Sequence, residues 1–215
     1  MKKMKKKHLA ITLSKLRGFQ NPKVELEQYR TPGSVAAELL WLAHSLGDIE
    51  GKTVADFGAG TGVLAAGACL LGAEKVYAVE IDRDALKIAR ENIGSLQLEN
   101  CIELVCSDVS NFTTTVDAVI MNPPFGSQNP HADRPFLLKA FEVSNTVYSI
   151  HLAKPEVRRF IDAFSGEHGF RITHRIPVEF ELPAQFFFHR KRLEKILVDI
   201  YRFENQKRKR YMFRI

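Results

Sequence analysis

The chain has 215 residues, 45% of them hydrophobic, which is enough to bury the core of one domain. Lysine and arginine exceed aspartate and glutamate by 31 − 25 = 6, and much of the excess lies in KKMKKKH from Lys2 and KRKR from Lys207, ends that suit a polyanion. Three cysteines, Cys69, Cys101 and Cys106, lack CxxC or Cys/His spacing and indicate neither a disulfide framework nor a zinc site. No run nears the roughly 18 apolar residues needed to cross a bilayer, so a reducing cytoplasm without a membrane partner is the expected setting.

After a basic helical start, Thr31 and Pro32 read as cap and first residue of the helix SVAAELLWLAHSLG, which ends at Gly47. An alternation comes next: TVADFG as strand, Val63 to Leu71 as helix, KVYAVEID as strand and RDALKIARENIGSL as helix. IELVCSD and VDAVIMN are the third and fourth strands. FLLKAFEVS reads as helix, TVYSIHLA as strand and PEVRRFIDAFSGEHG as helix. Two longer strand-like stretches, GFRITHRIPVEFEL and KILVDIYRFE, finish the chain. Continuous β-branched runs between helices mark a buried parallel sheet, here closed by an antiparallel hairpin. The expectation is one α/β domain, with residues 1–47 a helical extension completing the ligand site and 48–215 the Rossmann-like core.

DFGAGTG, Asp56 to Gly62, lies where the first strand turns into a helix, and its glycines let a ligand approach the backbone. A dinucleotide-binding GxGxxG would need a third glycine where Val63 stands, which weakens a nicotinamide reading. Glu80 ends the second strand at a distance suited to two ribose hydroxyls, and Asp108 ends the third. Ligands of open parallel sheets bind at the carboxyl ends of the strands, so these residues converge on one crevice. The bland alternative is that each acid merely caps the next helix or loop, and for Asp82 and Asp84 that alternative is favoured. A ribose site, a base-edge site and a glycine turn describe an adenosine-containing cofactor.

The fourth strand runs into IMNPPFG and stops, because two prolines remove ladder donors and stiffen the chain. An Asn-Pro-Pro-aromatic corner beside such a crevice resembles the class I S-adenosylmethionine-dependent methyltransferases that modify exocyclic or amide nitrogens. In that chemistry the side-chain oxygen of Asn122 and the carbonyl of Pro123 accept hydrogen bonds from the target amino group. Pro123 and Pro124 hold these acceptors still, and Phe125 stacks on the base. Further along, the block FFFHRKR could contact bases and phosphates through Phe186, Phe188, His189, Arg190, Lys191 and Arg192, with Lys207 and Arg208 beyond it. Its bland reading is a strand end with a solvated turn.

The segments FQNPKVELEQYRTP, ADFGAGTGVLAAGACLLGA, VIMNPPFG, VYSIH, LPAQFFFHRKR and ILVDIYRF, in this order, resemble the methyltransferase-like protein 5 family in its archaeal type. The resemblance implies methylation of an adenosine amino group in small-subunit ribosomal RNA, with S-adenosyl-L-homocysteine as product. It also implies that Gln28 and Thr31 contact the methionine end of the cofactor and that Gly58, Thr61 and Val63 line its turn. Glu80, where the family often carries aspartate, would bind ribose, and Asp108 the cofactor's adenine. Asp56, Gly60, Ile81, Val109 and Asn122 complete the implied cofactor set. The family also works with a small zinc-binding activator protein, and the third strand, expected at the sheet edge, is a natural place for strand addition. Two alternatives remain open at this point: a protein glutamine methyltransferase, and a catalytically silent RNA-binding assembly factor.

Overall fold

The computed structural model describes residues 4–126, 131–183 and 193–206. Two helices come first, α1 (Lys6–Ser14) and α2 (Gly33–Ser45). The alternating unit is next: β1 (Thr53–Phe57), α3 (Val63–Leu70), β2 (Lys75–Glu80), α4 (Arg83–Ser95), β3 (Ile102–Cys106) and β4 (Ala118–Met121). The remainder is α5 (Arg134–Val143), β5 (Thr146–Leu152), α6 (Pro155–Glu167), β6 (Phe170–Pro183) and β7 (Leu193–Asn205). The seven strands form one sheet in the order β3-β2-β1-β4-β5-β7-β6. The first five are parallel, and β7 runs antiparallel between β5 and β6. The class I methyltransferase architecture expected from the sequence is therefore present, with β3 at an edge.

The strands are apolar throughout because both faces are covered. Side chains alternate across a pleat, so Val54, Ile120 and Ile200 join α1, α2 and α3 in one core layer. Ala55, Phe57, Val119, Met121, Tyr201 and Phe203 join α5 and α6 in the other. Gly67 marks the tightest helix packing: a Cβ there would run into Leu40 of α2 and crowd Leu13 of α1, so the small-residue helix lets α1 and α2 sit directly on α3. Chain order reverses between β1 and β4, which opens a crevice at their carboxyl ends.

Two details differ from the expectation. The helix α2 starts at Gly33, with Pro32 in the capping position and no side-chain cap. Thr31 does not cap it, because its hydroxyl is taken by Asn122 instead. The cysteines also depart from the reading. Cys69, near the end of α3, is bonded to Cys101, just before β3, with Cα atoms 6.2 Å apart. Their separation of 32 residues hides the pairing in the sequence; the α3–β2–α4 packing brings them together. Cys106 is the free, exposed thiol.

Candidate active site

A cavity of about 320 Å³ lies over the carboxyl ends of β1, β2, β3 and β4, within the size range of small-ligand sites. All twelve residues expected to hold the cofactor line it: Gln28, Thr31, Asp56, Gly58, Gly60 and Thr61, with Val63, Glu80, Ile81, Asp108, Val109 and Asn122. Strand ends, the glycine turn and the segment before α2 bring these positions together.

The glycine loop is tied to the end of β2 through three successive N–H groups. Gly58 and Ala59 donate their N–H groups to the Val79 carbonyl at 2.9 and 3.0 Å, and Gly60 donates to a Glu80 oxygen at 2.8 Å. Gly60 has φ +54°, and a Cβ there would lie 2.9 Å from the Phe19 ring, so the position needs glycine on both counts. The other Glu80 oxygen accepts from the Asp82 N–H at 2.9 Å. Burial raises the Glu80 carboxyl, although these N–H groups pull the other way. A carboxylate has about four acceptor positions, so each oxygen retains capacity for a ligand hydroxyl.

Asp56 is buried at the end of β1. One oxygen accepts from the Ala65 N–H at 2.9 Å, and the other is buried with no partner among the described residues. Burial pushes this carboxyl up to about 7 despite the bond from Ala65, with the nearby Glu80 charge adding to the rise. Asp108 stands two residues past β3 and caps the short turn Val109–Asn111 through the Ser110 N–H and hydroxyl. Those bonds hold its carboxyl below the ordinary range, the hydroxyl most. Asp108 is exposed on the cavity wall, so its capping role leaves it accessible to a ligand.

Asp82 caps α4 as expected and also gathers the N-terminal segment. Lys23 Nζ lies 2.6 Å from one of its oxygens and Gln28 Nε2 donates to the other at 2.7 Å. Gln28 Oε1 in turn accepts from the Lys23 N–H, so most of the Gln28 amide is spent on holding this segment over the cavity.

Asn122 comes directly after β4. Its Nδ2 donates to the Thr31 hydroxyl at 3.0 Å, a contact between residues 91 positions apart. Its Oδ1 is buried with no partner among the described residues. Leaving such an acceptor unmade costs about 1–3 kcal/mol, which points to a donor arriving with a ligand. Asn122 and Pro124 line the first cavity. Phe125 and Gly126 line a second, of about 270 Å³, with His131, Asp133, His151 and Phe160. Phe125 packs edge-on against Phe180, ring centroids 5.7 Å apart. The corner thus borders both cavities, Asn122 and Pro124 the first and Phe125 the second.

Sequence reasoning missed Phe19, Arg30 and Phe136, which also line the first cavity. Phe136 opens the stretch read as a helix, and Gly58 leaves room for its ring, 3.0 Å from where a Cβ would stand. The expected RNA contacts Phe186, Phe188, His189, Arg190, Lys191, Arg192, Lys207 and Arg208 lie outside the described residues.

Residues 35–144 match the family model described as Methyltransferase small domain. The rRNA N(6)-adenosine-methyltransferase METTL5 of Danio rerio is 38% identical, the match covering 93% of this chain and 99% of that protein. The chain belongs to the METTL5 family. The Drosophila melanogaster member is 36% identical over 95% of this chain and 98% of its own. The crystal structure of a Pyrococcus horikoshii protein is 66% identical, with a TM-score of 0.89 and coverage of 94% of this chain and 98% of that one. In this METTL5-family chain the NPPF corner borders both cavities, and Gly58 and Gly60 of the glycine loop line the first.

Proposed function

We propose that this chain transfers the methyl group of S-adenosyl-L-methionine to the exocyclic amino nitrogen of an adenosine in small-subunit ribosomal RNA. The observation that carries the reading is the buried Oδ1 of Asn122, fixed by Thr31 and without a hydrogen-bond donor among the described residues. It rests also on the rRNA N(6)-adenosine-methyltransferase names of the relatives.

The residues present fit the cofactor. Glu80 retains acceptor capacity for a ribose, the glycine loop leaves its backbone open, and the unpartnered Asp56 oxygen suits a cationic group. Gln28 and Thr31, on the extension formed by residues 1–47, complete the wall. When bound, S-adenosyl-L-methionine supplies an electrophilic methyl on a sulfonium.

An adenine amino group is a poor nucleophile because its lone pair is delocalised into the ring. Asn122 Oδ1 and the Pro123 carbonyl accept its two hydrogens, favour the pyramidal form and stabilise the positive charge that develops on nitrogen. Phe125 stacks on the base and aligns it, so positioning supplies much of the rate. No general base is needed, since the nitrogen loses its proton after transfer. The base must be flipped out, which costs least in an unpaired region of RNA.

The free edge of β3 is our proposed docking place for a small zinc-binding activator, by strand addition. An elution profile unchanged by the activator would sink that part. No helix among the described residues is long and apolar enough to cross a membrane, and we place the enzyme in the cytoplasm. Disulfides are rare in cytosolic proteins outside hyperthermophiles, so the Cys69–Cys101 bond weighs against a reducing setting.

The test is methyl transfer from labelled cofactor to ribosomal RNA taken from cells lacking this gene, followed by nucleoside analysis. Label in N(6)-methyladenosine of small-subunit RNA is expected. Label confined to dimethyladenosine, cytidine or protein overturns the reading.

A further inference from the structure

We infer that Arg30 binds the carboxylate at the amino-acid end of the cofactor, and so makes the site selective for ligands that carry one. The inference rests on the methyltransferase reading above. Among the described residues lining the first cavity, Arg30 is the one with a basic side chain, whereas Glu25, Glu27, Asp56, Glu80 and Asp108 are acidic. Such a wall suits the ammonium and sulfonium of the ligand and offers its carboxylate a single cationic partner.

The local bonding of Arg30 leaves that role open. Its Nη2 donates to the Leu13 and Ser14 carbonyls at 2.8 and 2.9 Å. This ties the segment before α2 to the last turn of α1, as basic side chains often do at helix ends. Its Nε is buried with no partner among the described residues, and no carboxylate there lies within ion-pair distance of it. A cation partly out of water without a counter-ion is costly, and burial accordingly lowers the Arg30 pKa. A guanidinium presents a planar fork of N–H donors that matches a carboxylate, and tying the helix end occupies Nη2 alone.

Position along the chain assigns the end of the ligand. Glu80 and Asp108 lie on the ribose and base side, while Asn122 must face the transferred methyl. Thr31, bonded to Asn122, is the next residue after Arg30. The Arg30 segment therefore borders the sulfonium side, where the amino-acid end leaves the sulfur.

The experiment titrates the full chain calorimetrically with three ligands. They are S-adenosylhomocysteine, its decarboxylated counterpart 5′-(3-aminopropylthio)adenosine, and 5′-methylthioadenosine, which lacks the whole amino-acid end. The unchanged protein should prefer S-adenosylhomocysteine over the decarboxylated ligand by on the order of 10- to 100-fold, the range for a charge-assisted hydrogen bond. Arg30→Gln should erase that preference and leave 5′-methylthioadenosine affinity within about threefold. Equal weakening of all three ligands by Arg30→Gln would mean that Arg30 only ties α1, and would overturn the inference. So would equal affinity of the unchanged protein for the carboxylated and decarboxylated ligands, a comparison that needs no variant. Failure of the unchanged protein to bind any of the three overturns the methyltransferase reading itself, and this inference with it.

Discussion

Asp56→Asn should change how stability depends on pH. The wild-type carboxyl is pushed by burial to about 7, against an ordinary 3.8. Between those values the folded chain keeps a proton that the unfolded chain has lost. Stability therefore falls as pH rises through this window and levels off above about 7. At about 1.4 kcal/mol per pH unit, the loss attributable to Asp56 is about 4 kcal/mol. Asparagine keeps the size and the oxygen that accepts from the Ala65 N–H, but it carries no titrating proton. Urea unfolding of both proteins from pH 4 to pH 8 checks this. The variant should gain on wild type progressively, by about 4 kcal/mol across the range. Glu80, also raised, tilts both curves the same way and largely cancels in the difference. A stability difference identical at pH 4 and pH 8 would refute the reasoning, because it would mean that folding does not raise the Asp56 carboxyl.

Asn122→Ala should lower methyl transfer on the order of 10²- to 10³-fold, the usual effect of removing one fixed charge-stabilising group. Calorimetric S-adenosylhomocysteine affinity should stay within about threefold, and equal loss of both would show that Asn122 serves the cofactor rather than the target nitrogen. Reduction of the Cys69–Cys101 bond, or Cys69→Ala, should cost about 3–4 kcal/mol for a closed loop of 32 residues. That corresponds to a Tm roughly 10 °C lower in a chain of this size, and a Tm indifferent to reductant would show that the bond contributes no net stability.

The order of the elements, the fold class and the crevice could all be read from the amino-acid sequence alone. These are legible because a parallel sheet covered on both faces demands continuous apolar strands, and because glycines, acids and prolines interrupt those strands where a ligand must fit. DFGAGTG, Glu80, Asp108 and NPPF could be assigned to one site from strand-end position alone, and the cavity includes residues from all four.

Left to the tertiary structure were the contacts between residues far apart in the chain. Thr31, read as a helix cap, is the partner that orients Asn122. Cys69 and Cys101, read as unpaired, meet because α3 packs beside the approach to β3. Phe19 and Phe136 fill the space left by Gly60 and Gly58, and Arg30 reaches across to α1 while bordering the cavity. Local patterns come from the pleat and the helical turn, each of which involves a few neighbouring residues. A buried oxygen without a donor, a lone cation among acids, or two facing thiols depend on which distant surfaces the core forces together, and only the folded chain decides that.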